Sequence, residues 1–439
     1  MAKTFSWLHL TDLHFGHNDQ RYLWDAVEES FLEDLTRLHA KSGPWDAVLF
    51  TGDLTQQGTR EEFAKLRAML DELWSHETFS NRPALITVPG NHDLVRPDAS
   101  RPEVEALRRW HDDEAMRTRF WSDDASPERA VITTAFAEYT AFREAWKLPE
   151  GFSVTRGRVP GDVSVSFECN GLRVGIVGLN TAALHLWGGD LTGTLTVERE
   201  QLFAVCDRPS KWTAAHDVAL LLTHHPPDWL HKRAAEIFGA DILARDRFLA
   251  HLYGHMHEAG FTREGSGGSP ERRRVQGPSL FGMEHLGGGS VQRIHGCMAG
   301  RVTIDGERGE FRVWPRRLIT VKGGSMKLVP AEELDLSDEA VVTTFTPKRR
   351  AGATKETERG PIKINDPPAP RPSRKYQLAR ALHGMSDAQI TAALDGLAVP
   401  DEARRASDAM LRAKAVVDHL EARGQLDELA RRLGVEGAT

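Results

Sequence analysis

Five short clusters of carboxylate, imidazole and amide side chains follow one another along the chain: Asp12-x-His14, Gly52-Asp53, Gly90-Asn91-His92-Asp93, Thr223-His224-His225 and Gly254-His255-x-His257. Any one of them alone is commonplace. Together they supply oxygen and imidazole donors without thiolates, a donor chemistry that suits Mn, Fe, Zn or similar ions. A single shared carboxylate can hold two such cations about 3.5 to 4 Å apart despite their repulsion. Cations placed in this way lower the pKa of a bound water, so that a hydroxide becomes available near neutral pH. An amide donor such as Asn91 adds no further negative charge, and imidazoles titrate in the range where a proton can be given or taken.

Such clusters must be held by a scaffold, and the flanking residues indicate one. Residues 5–10, 45–50 and 84–88 are short apolar runs, each ending at a cluster. Between them, 25–40 and 59–74 carry apolar residues at helical spacing, and Thr59 with Glu62 has the form of a capping box. The alternation of strand and helix predicts a layered α/β domain with its functional groups just beyond the carboxyl ends of the strands. Further strands are predicted at 163–168, 172–179, 218–222 and 249–253, with 300–304 and 310–314 flanking Asp305-Gly306 as a hairpin. The charged, aromatic segment from 94 to about 150–160, with Trp110, Phe120, Trp121, Phe136, Tyr139, Phe142 and Trp146, reads as a helical cap insertion whose aromatics form its own core. Residues 262–296, rich in Gly and Arg, read as a long loop over the site, with Arg272, Arg273 and Arg274 either contacting a phosphate or, as is commoner for a charge run, on a solvated face.

The chain has 439 residues, 40% of them hydrophobic, enough to bury a large core and to build a second, smaller unit. A net charge of -7 argues against a protein that holds nucleic acid through an overall basic surface. The three cysteines, Cys169, Cys206 and Cys297, are too few and too scattered for a disulfide framework or a thiolate cluster, which fits a reducing cytoplasm. Neither a signal-peptide pattern nor a membrane-spanning apolar run is expected.

As an ordered set, the clusters resemble those of the calcineurin-like metallophosphoesterase superfamily, over about residues 4–320. The resemblance implies a four-layer α/β/β/α sandwich and a dinuclear metal centre. By motif, Asp12, His14 and His257 would bind one ion and Asn91, His224 and His255 the other, with Asp53 bridging. His92, held by Asp93, would protonate the leaving oxygen. A metal-bound hydroxide would attack phosphorus while the two ions, Mn, Fe or Zn, stabilise the growing charge. The family's His-x-Pro pattern favours His224 over His225 as ligand. His225 either reaches the second metal's solvent side and the substrate or points away. His17 either lines the pocket mouth or is merely exposed, and His9 belongs to the core or braces the ligands.

The run Gly52-Asp53-Leu54-Thr55-Gln56-Gln57-Gly58 is similar to the Gly-Asp-Leu-Thr-x-x-Gly form of class III cyclic-nucleotide phosphodiesterases and glycerophosphodiesterases. The Arg-Gly signature of serine/threonine protein phosphatases is absent after Asp53, and Asp93 stands where those enzymes carry Glu. The expected activity is therefore phosphodiester hydrolysis, with cyclic or linear nucleotides as substrates. Residues 346–375, without apolar periodicity, read as a flexible linker after a catalytic domain of residues 1–345. Residues 376–439 read as a small helical bundle, with Leu411, Val416, Val417, Leu420, Leu426 and Leu429 on an apolar face. This tail faintly resembles the effector-associated, death-like adaptor domains of bacterial conflict proteins. The alternative reading that follows is a nucleic-acid-cleaving effector recruited to protein partners through 376–433.

Overall fold

A computed structural model of the chain describes residues 2–348 except 17–19, 245, 266–270, 281, 287–289, 295 and 322–324, together with separate short stretches between 378 and 433. Three apolar segments form the strands β1 (Lys3–Leu10), β2 (Ala47–Thr51) and β3 (Ala84–Val88), which pair in parallel in that order. Helices α1 (Gln20–Ser42) and α2 (Arg60–Leu73) connect them. The capping box forms: Thr59 Oγ1 accepts from the Glu62 backbone N–H at 3.3 Å, and the Glu62 carboxylate accepts from Thr59 N–H at 3.2 Å. A cap of this kind stabilises a helix start by about 1 kcal/mol and fixes where the loop carrying Asp53 ends.

On the far side of β1 the first sheet continues through β13 (Gly296–Asp305), β14 (Arg308–Thr320), β15 (Met326–Pro330) and β16 (Val341–Phe345). The hairpin expected about Asp305-Gly306 joins β13 to β14, whose strands are longer than the sequence suggests. A second seven-stranded sheet comprises β4 (Ser153–Arg156), β5 (Val163–Cys169), β6 (Leu172–Gly178), β7 (Val218–Leu222), β8 (Ala250–Tyr253), β9 (Gly260–Glu264) and β10 (Arg272–Gln276). Its spatial order is β4-β5-β6-β7-β8-β10-β9.

The two-residue period of the strands sorts their side chains between cores. Phe5 and Trp7 of β1 meet Val174, Leu220 and Leu252 of the second sheet in one cluster, whereas Leu8 and Leu10 face Phe31 and Leu35 of α1 and Leu66 of α2 in another. On the outer face of the second sheet, Val177 and Leu221 pack with Leu202 and Val205 of α7 (Arg199–Val205). The order is thus helix, sheet, sheet, helix, and strands buried on both faces account for the unbroken apolar runs in the sequence.

The cap consists of four short helices, α3 (Pro102–Arg108), α4 (Glu114–Ser122), α5 (Pro127–Ala135) and α6 (Ala137–Ala145). Its aromatics Trp110, Phe120, Phe136, Tyr139 and Phe142 are buried. The end of the expected insertion is corrected, because residues 153–156 form β4 on the edge of the second sheet. A second correction concerns 262–296, which is not one long loop: it contributes β9, β10 and the hairpin of β11 (Gly282–Leu286) and β12 (Ser290–Ile294). The strand character of β10 was hidden by its arginines. Arg273 and Val275 are buried, and the Arg273 guanidinium donates to Thr343 Oγ1 and to the Thr344 carbonyl, each at 2.8 Å. Arg274 pairs with Glu264 at 3.0 Å.

The chain divides into two compact units, Met1–Ala353 and Thr354–Thr439. In the second, α10 (Asp387–Ala393) and α11 (Leu426–Arg432) are described, and Leu378, Leu382, Leu394, Val416, Val417, Leu420 and Leu429 share a buried cluster. The expected linker lies, from residue 349 onward, outside the described residues. Among the described residues, no helix is long and apolar enough to cross a membrane.

Candidate metal centre

The carboxyl ends of β1, β2, β3, β7 and β8 each release the chain into one of the five clusters, and the loops converge. Ligand atoms of Asp12, His14 and His257 lie within 4.8 Å of one another, as do those of Asp12, Asp53 and His224, and those of His14, Asp53 and His92. Asp53 stands between His14 and His224, its Oδ2 lying 3.8 Å from His14 Nε2 and 3.2 Å from His224 Nε2. Asn91 Oδ1 and His255 Nδ1 approach His224 Nε2 at 3.1 and 3.2 Å. The seven residues expected as ligands are therefore gathered in one place. His17 lies outside the described residues.

The loops reach this arrangement through uncommon backbone conformations. Asp12, His14, Asp53, His255 and His257 all have positive φ, between 48° and 72°, a region that residues with a Cβ enter at a cost. Two glycines permit the close approach of the loops. A Cβ on Gly90 would lie 2.2 Å from Asp53 Oδ1, and one on Gly254 would lie 1.9 Å from Thr11 Oγ1.

Hydrogen bonds fix which atoms face inward. Thr11 Oγ1 and the His255 backbone N–H both donate to Asp12 Oδ2, at 2.6 and 3.0 Å, while Asp12 Oδ1 is buried without a hydrogen-bond partner among the described residues. Among the described residues His14 Nε2 is likewise buried without a hydrogen-bond partner. His224 Nδ1 donates to the Thr51 carbonyl at 2.7 Å, which turns Nε2 toward Asp53; burial lowers this ring's pKa, but Asp53 outweighs it and raises it to about 9, so a bound ion would take the place of the Nε2 proton. Inward lone pairs on oxygen and nitrogen, with outward atoms already engaged, fit divalent metal ions. His9 is a brace, its Nε2 2.9 Å from Thr51 Oγ1.

The charges agree with this orientation. Burial pulls the Asp53 carboxyl upward, but His224 and His92, with His14, outweigh it and hold Asp53 well below the usual carboxylate range. Burial lowers His14 to about 4, against the pull of Asp53, and keeps its ring neutral. Burial and the neighbouring Asp53 raise Asp93 to about 6.

The expected pairing of Asp93 with His92 is corrected. Asp93 accepts from the Thr55 and Gly90 backbone N–H groups, each at 2.9 Å, and from Thr55 Oγ1 at 3.1 Å, so its oxygens are committed to bracing two loops. The His92 ring is oriented instead by the Gln56 carbonyl, which accepts from Nδ1 at 2.8 Å. His225, left open by the sequence, turns toward the centre, with a ring nitrogen within 4.8 Å of those of His224 and His255. Sequence reasoning passed over Thr181, His185 and Trp229. Thr181 contacts His225 Nδ1 at 3.0 Å, the His185 ring lies parallel to that of His225 at 5.8 Å, and Trp229 meets His255 edge to face at 4.1 Å. A signal existed for Thr181, because Asn180-Thr181 follows β6 just as the five clusters follow their strands. None marked His185, which sits in the apolar run Leu184-His185-Leu186.

Fold and site together define a metal-dependent phosphoesterase scaffold. Residues 5–259 match the calcineurin-like phosphoesterase family, and the chain belongs to it. A 3',5'-cyclic-nucleotide phosphodiesterase of Nostoc sp. is 33% identical over 87 residues, 20% of this chain and 30% of that protein. A Rhodococcus erythropolis protein named "Probable cyclic nucleotide phosphodiesterase" is 34% identical over 88 residues, 20% of this chain and 27% of that one. The matches thus span less than a third of each relative. Among solved structures, purple acid phosphatase PPD1 of yellow lupin (Lupinus luteus) is similar with a TM-score of 0.40 and 12% identity, over 72% of this chain and 52% of that one. Vps29 of Chaetomium thermophilum is similar with a TM-score of 0.28 and 14% identity, over 78% of this chain and 97% of that one.

Proposed function

We propose that this protein hydrolyses phosphodiesters, cyclic or linear nucleotides foremost, at a dinuclear centre. Asp12, His14 and His257 would hold one ion, Asn91, His224 and His255 the other, and Asp53 both. The observation that carries this reading is the position of the Asp53 carboxylate between the two ligand groups, with Oδ2 3.8 Å from His14 Nε2 and 3.2 Å from His224 Nε2. Two bound Mn, Fe or Zn ions would supply Lewis acidity toward the phosphoryl oxygens and a nucleophile at neutral pH.

The chain's own residues orient the substrate and move the proton. Because His92 Nδ1 donates to the Gln56 carbonyl, Nε2 is the only ring position at which His92 can take up or release a proton, and the ring lies beside Asp53 and His14. A protonated His92 would give that proton to the departing alkoxide. The names of the two cyclic-nucleotide phosphodiesterase relatives support nucleotides as the substrate class. In domain terms, residues 1–345 act as the catalytic module and 376–439 as a separate helical one.

The test combines metal analysis of the purified chain with turnover of bis(p-nitrophenyl) phosphate, p-nitrophenyl phosphate, cyclic nucleotides and single-stranded DNA. Two ions per chain with diester turnover well above monoester turnover is the expected outcome. Monoester preference would refute the phosphodiesterase reading, and fewer than two ions at saturation would refute the dinuclear one.

A further inference from the structure

By distance alone His225 is as good a metal ligand as its neighbours. Its ring centroid lies 4.7 Å from that of His224 and 4.4 Å from that of His255. Its hydrogen bonds assign it otherwise. Thr181 Oγ1 accepts from the His225 backbone N–H at 3.0 Å and also lies 3.0 Å from His225 Nδ1. A hydroxyl has one proton to give. Thr181 is buried, these are its two hydroxyl contacts, and the backbone N–H can only donate, so the hydroxyl proton goes to Nδ1. Nδ1 is then the acceptor, and the ring must carry its own proton on Nε2. The opposite tautomer would direct two donors at Oγ1 and leave a buried hydroxyl proton unpaired, which is costly.

The result is a buried N–H with nothing to bond. His225 is 1% exposed, and among the described residues Nε2 has no hydrogen-bond partner. The ring is held rigidly, because the His225 carbonyl accepts from Thr223 Oγ1 at 3.0 Å while His185 and Trp229 flank the imidazole at 5.8 and 5.7 Å. A buried donor without a hydrogen-bond partner, beside the likewise unsatisfied Asp12 Oδ1 and His14 Nε2, marks the place of a ligand. An N–H cannot coordinate a cation. The complementary ligand is an anionic oxygen.

We infer that His225 is a hydrogen-bond donor, through Nε2, to a phosphoryl oxygen bound at this centre, and that it is not a metal ligand. The inference rests on the phosphodiesterase reading and assigns to that site a second functional histidine with a role opposite to that of His92. The Gln56 carbonyl leaves the neutral His92 ring a lone pair at Nε2, suited to carrying a proton in and out. Thr181 leaves His225 with a permanent N–H, suited to stabilising charge that grows on phosphorus-bound oxygen.

The experiment uses the full chain loaded with diamagnetic Zn, inorganic phosphate as the probe, and His225→Ala, His225→Gln and Thr181→Val. Metal content and the inhibition constant for phosphate are measured in each, and long-range 1H–15N spectra of 15N-histidine-labelled protein report the protonated ring nitrogen. The expected result is wild-type metal content throughout. Phosphate should inhibit His225→Ala roughly 10- to 100-fold more weakly, the range for a lost hydrogen bond to a charged group. His225→Gln, which keeps an N–H donor, should recover most of that loss, and Thr181→Val should fall between. The spectra should show His225 protonated at Nε2 in the wild type. Loss of an ion in both His225 variants would make it a ligand and overturn the inference, as would unchanged phosphate inhibition in all three. A wild-type chain that holds fewer than two ions would refute the dinuclear reading and the inference together, whereas intact metal with unchanged phosphate inhibition refutes the inference alone.

Discussion

Replacing Asp53 by Asn removes one charge and little else. Asp53 sits at φ 53°, a conformation that Asn adopts about as readily as Asp, so the backbone is not additionally strained. Its Oδ1 accepts from the His92 N–H at 2.8 Å, and the Asn oxygen can keep that bond. The amide NH2 then replaces Oδ2 and faces His14 Nε2 and His224 Nε2, which lie 3.8 and 3.2 Å from the carboxylate. At an effective dielectric near 20, two unit charges about 4 Å apart attract by about 4 kcal/mol, and the carboxylate would serve two ions at once. After relaxation the loss should still be about 3 kcal/mol at each position, or roughly 100-fold weaker metal binding at both. Metal titration monitored by calorimetry, with bis(p-nitrophenyl) phosphate turnover alongside, reads both consequences. Activity should fall by more than about 1,000-fold, because both ions weaken together. A variant that loses one ion and keeps the other at full affinity would refute the bridging role, and near wild-type turnover would refute the two-ion mechanism.

His92→Ala should slow diesters with poor leaving groups at least about 100-fold more than it slows p-nitrophenyl esters, at unchanged metal content. An equal loss on both substrates would assign His92 to positioning rather than proton transfer. Asp162 is 1% exposed, and burial raises its carboxyl to about 7 against the hydrogen bonds from Asn180 N and Gln201 Nε2. The unfolded group ionises from about pH 4 while the folded one keeps its proton to about 7, so this residue's contribution to stability falls as pH rises between those values. In the metal-free chain Asp162→Asn should therefore melt higher than the wild type by several degrees at pH 8 and alike near pH 4; equal melting temperatures at pH 8 would count against the raised value. Truncation after Ala353, where the first compact unit ends, should keep metal content and small-diester turnover within about threefold of the full chain. A collapse of turnover in a folded, metal-loaded truncation would place the tail in the active site.

Strand-end clusters were legible because parallel strands buried on both faces read as apolar runs, and the polar residues that interrupt them have no other place to go. Asp12, Asp53, Asn91, His224 and His255 announce themselves in this way. The partner of His92 was not legible, because Gln56 acts through its backbone carbonyl and any residue type would serve there. Thr181 and His185 reach the centre from the loop after β6, where Asn180-Thr181 carries only the strand-end signal and a histidine between leucines carries none. The strand β10 was concealed for a different reason. An arginine can occupy an inward strand position when its guanidinium finds acceptors, and the acceptors of Arg273 lie 70 and 71 residues away, at Thr343 and Thr344. No local pattern encodes a partner at that distance.

The left-handed backbone at Asp12, His14, Asp53, His255 and His257 has an evolutionary and practical corollary. Each of these residues occupies a conformation in which glycine would be more comfortable, by about 1 kcal/mol apiece. What the fold itself gains from them is chiefly the hydrogen bonds that Asp12 and Asp53 accept from Thr11, His255 and His92, and asparagine could keep those. Directed evolution for heat resistance alone, without a concurrent screen for hydrolysis, would drift toward Gly and Asn at these five loop positions and erase the centre while improving the scaffold. For the same reason, a homologous chain that has abandoned chemistry for binding should be recognisable from glycines and asparagines at these corners, without any assay.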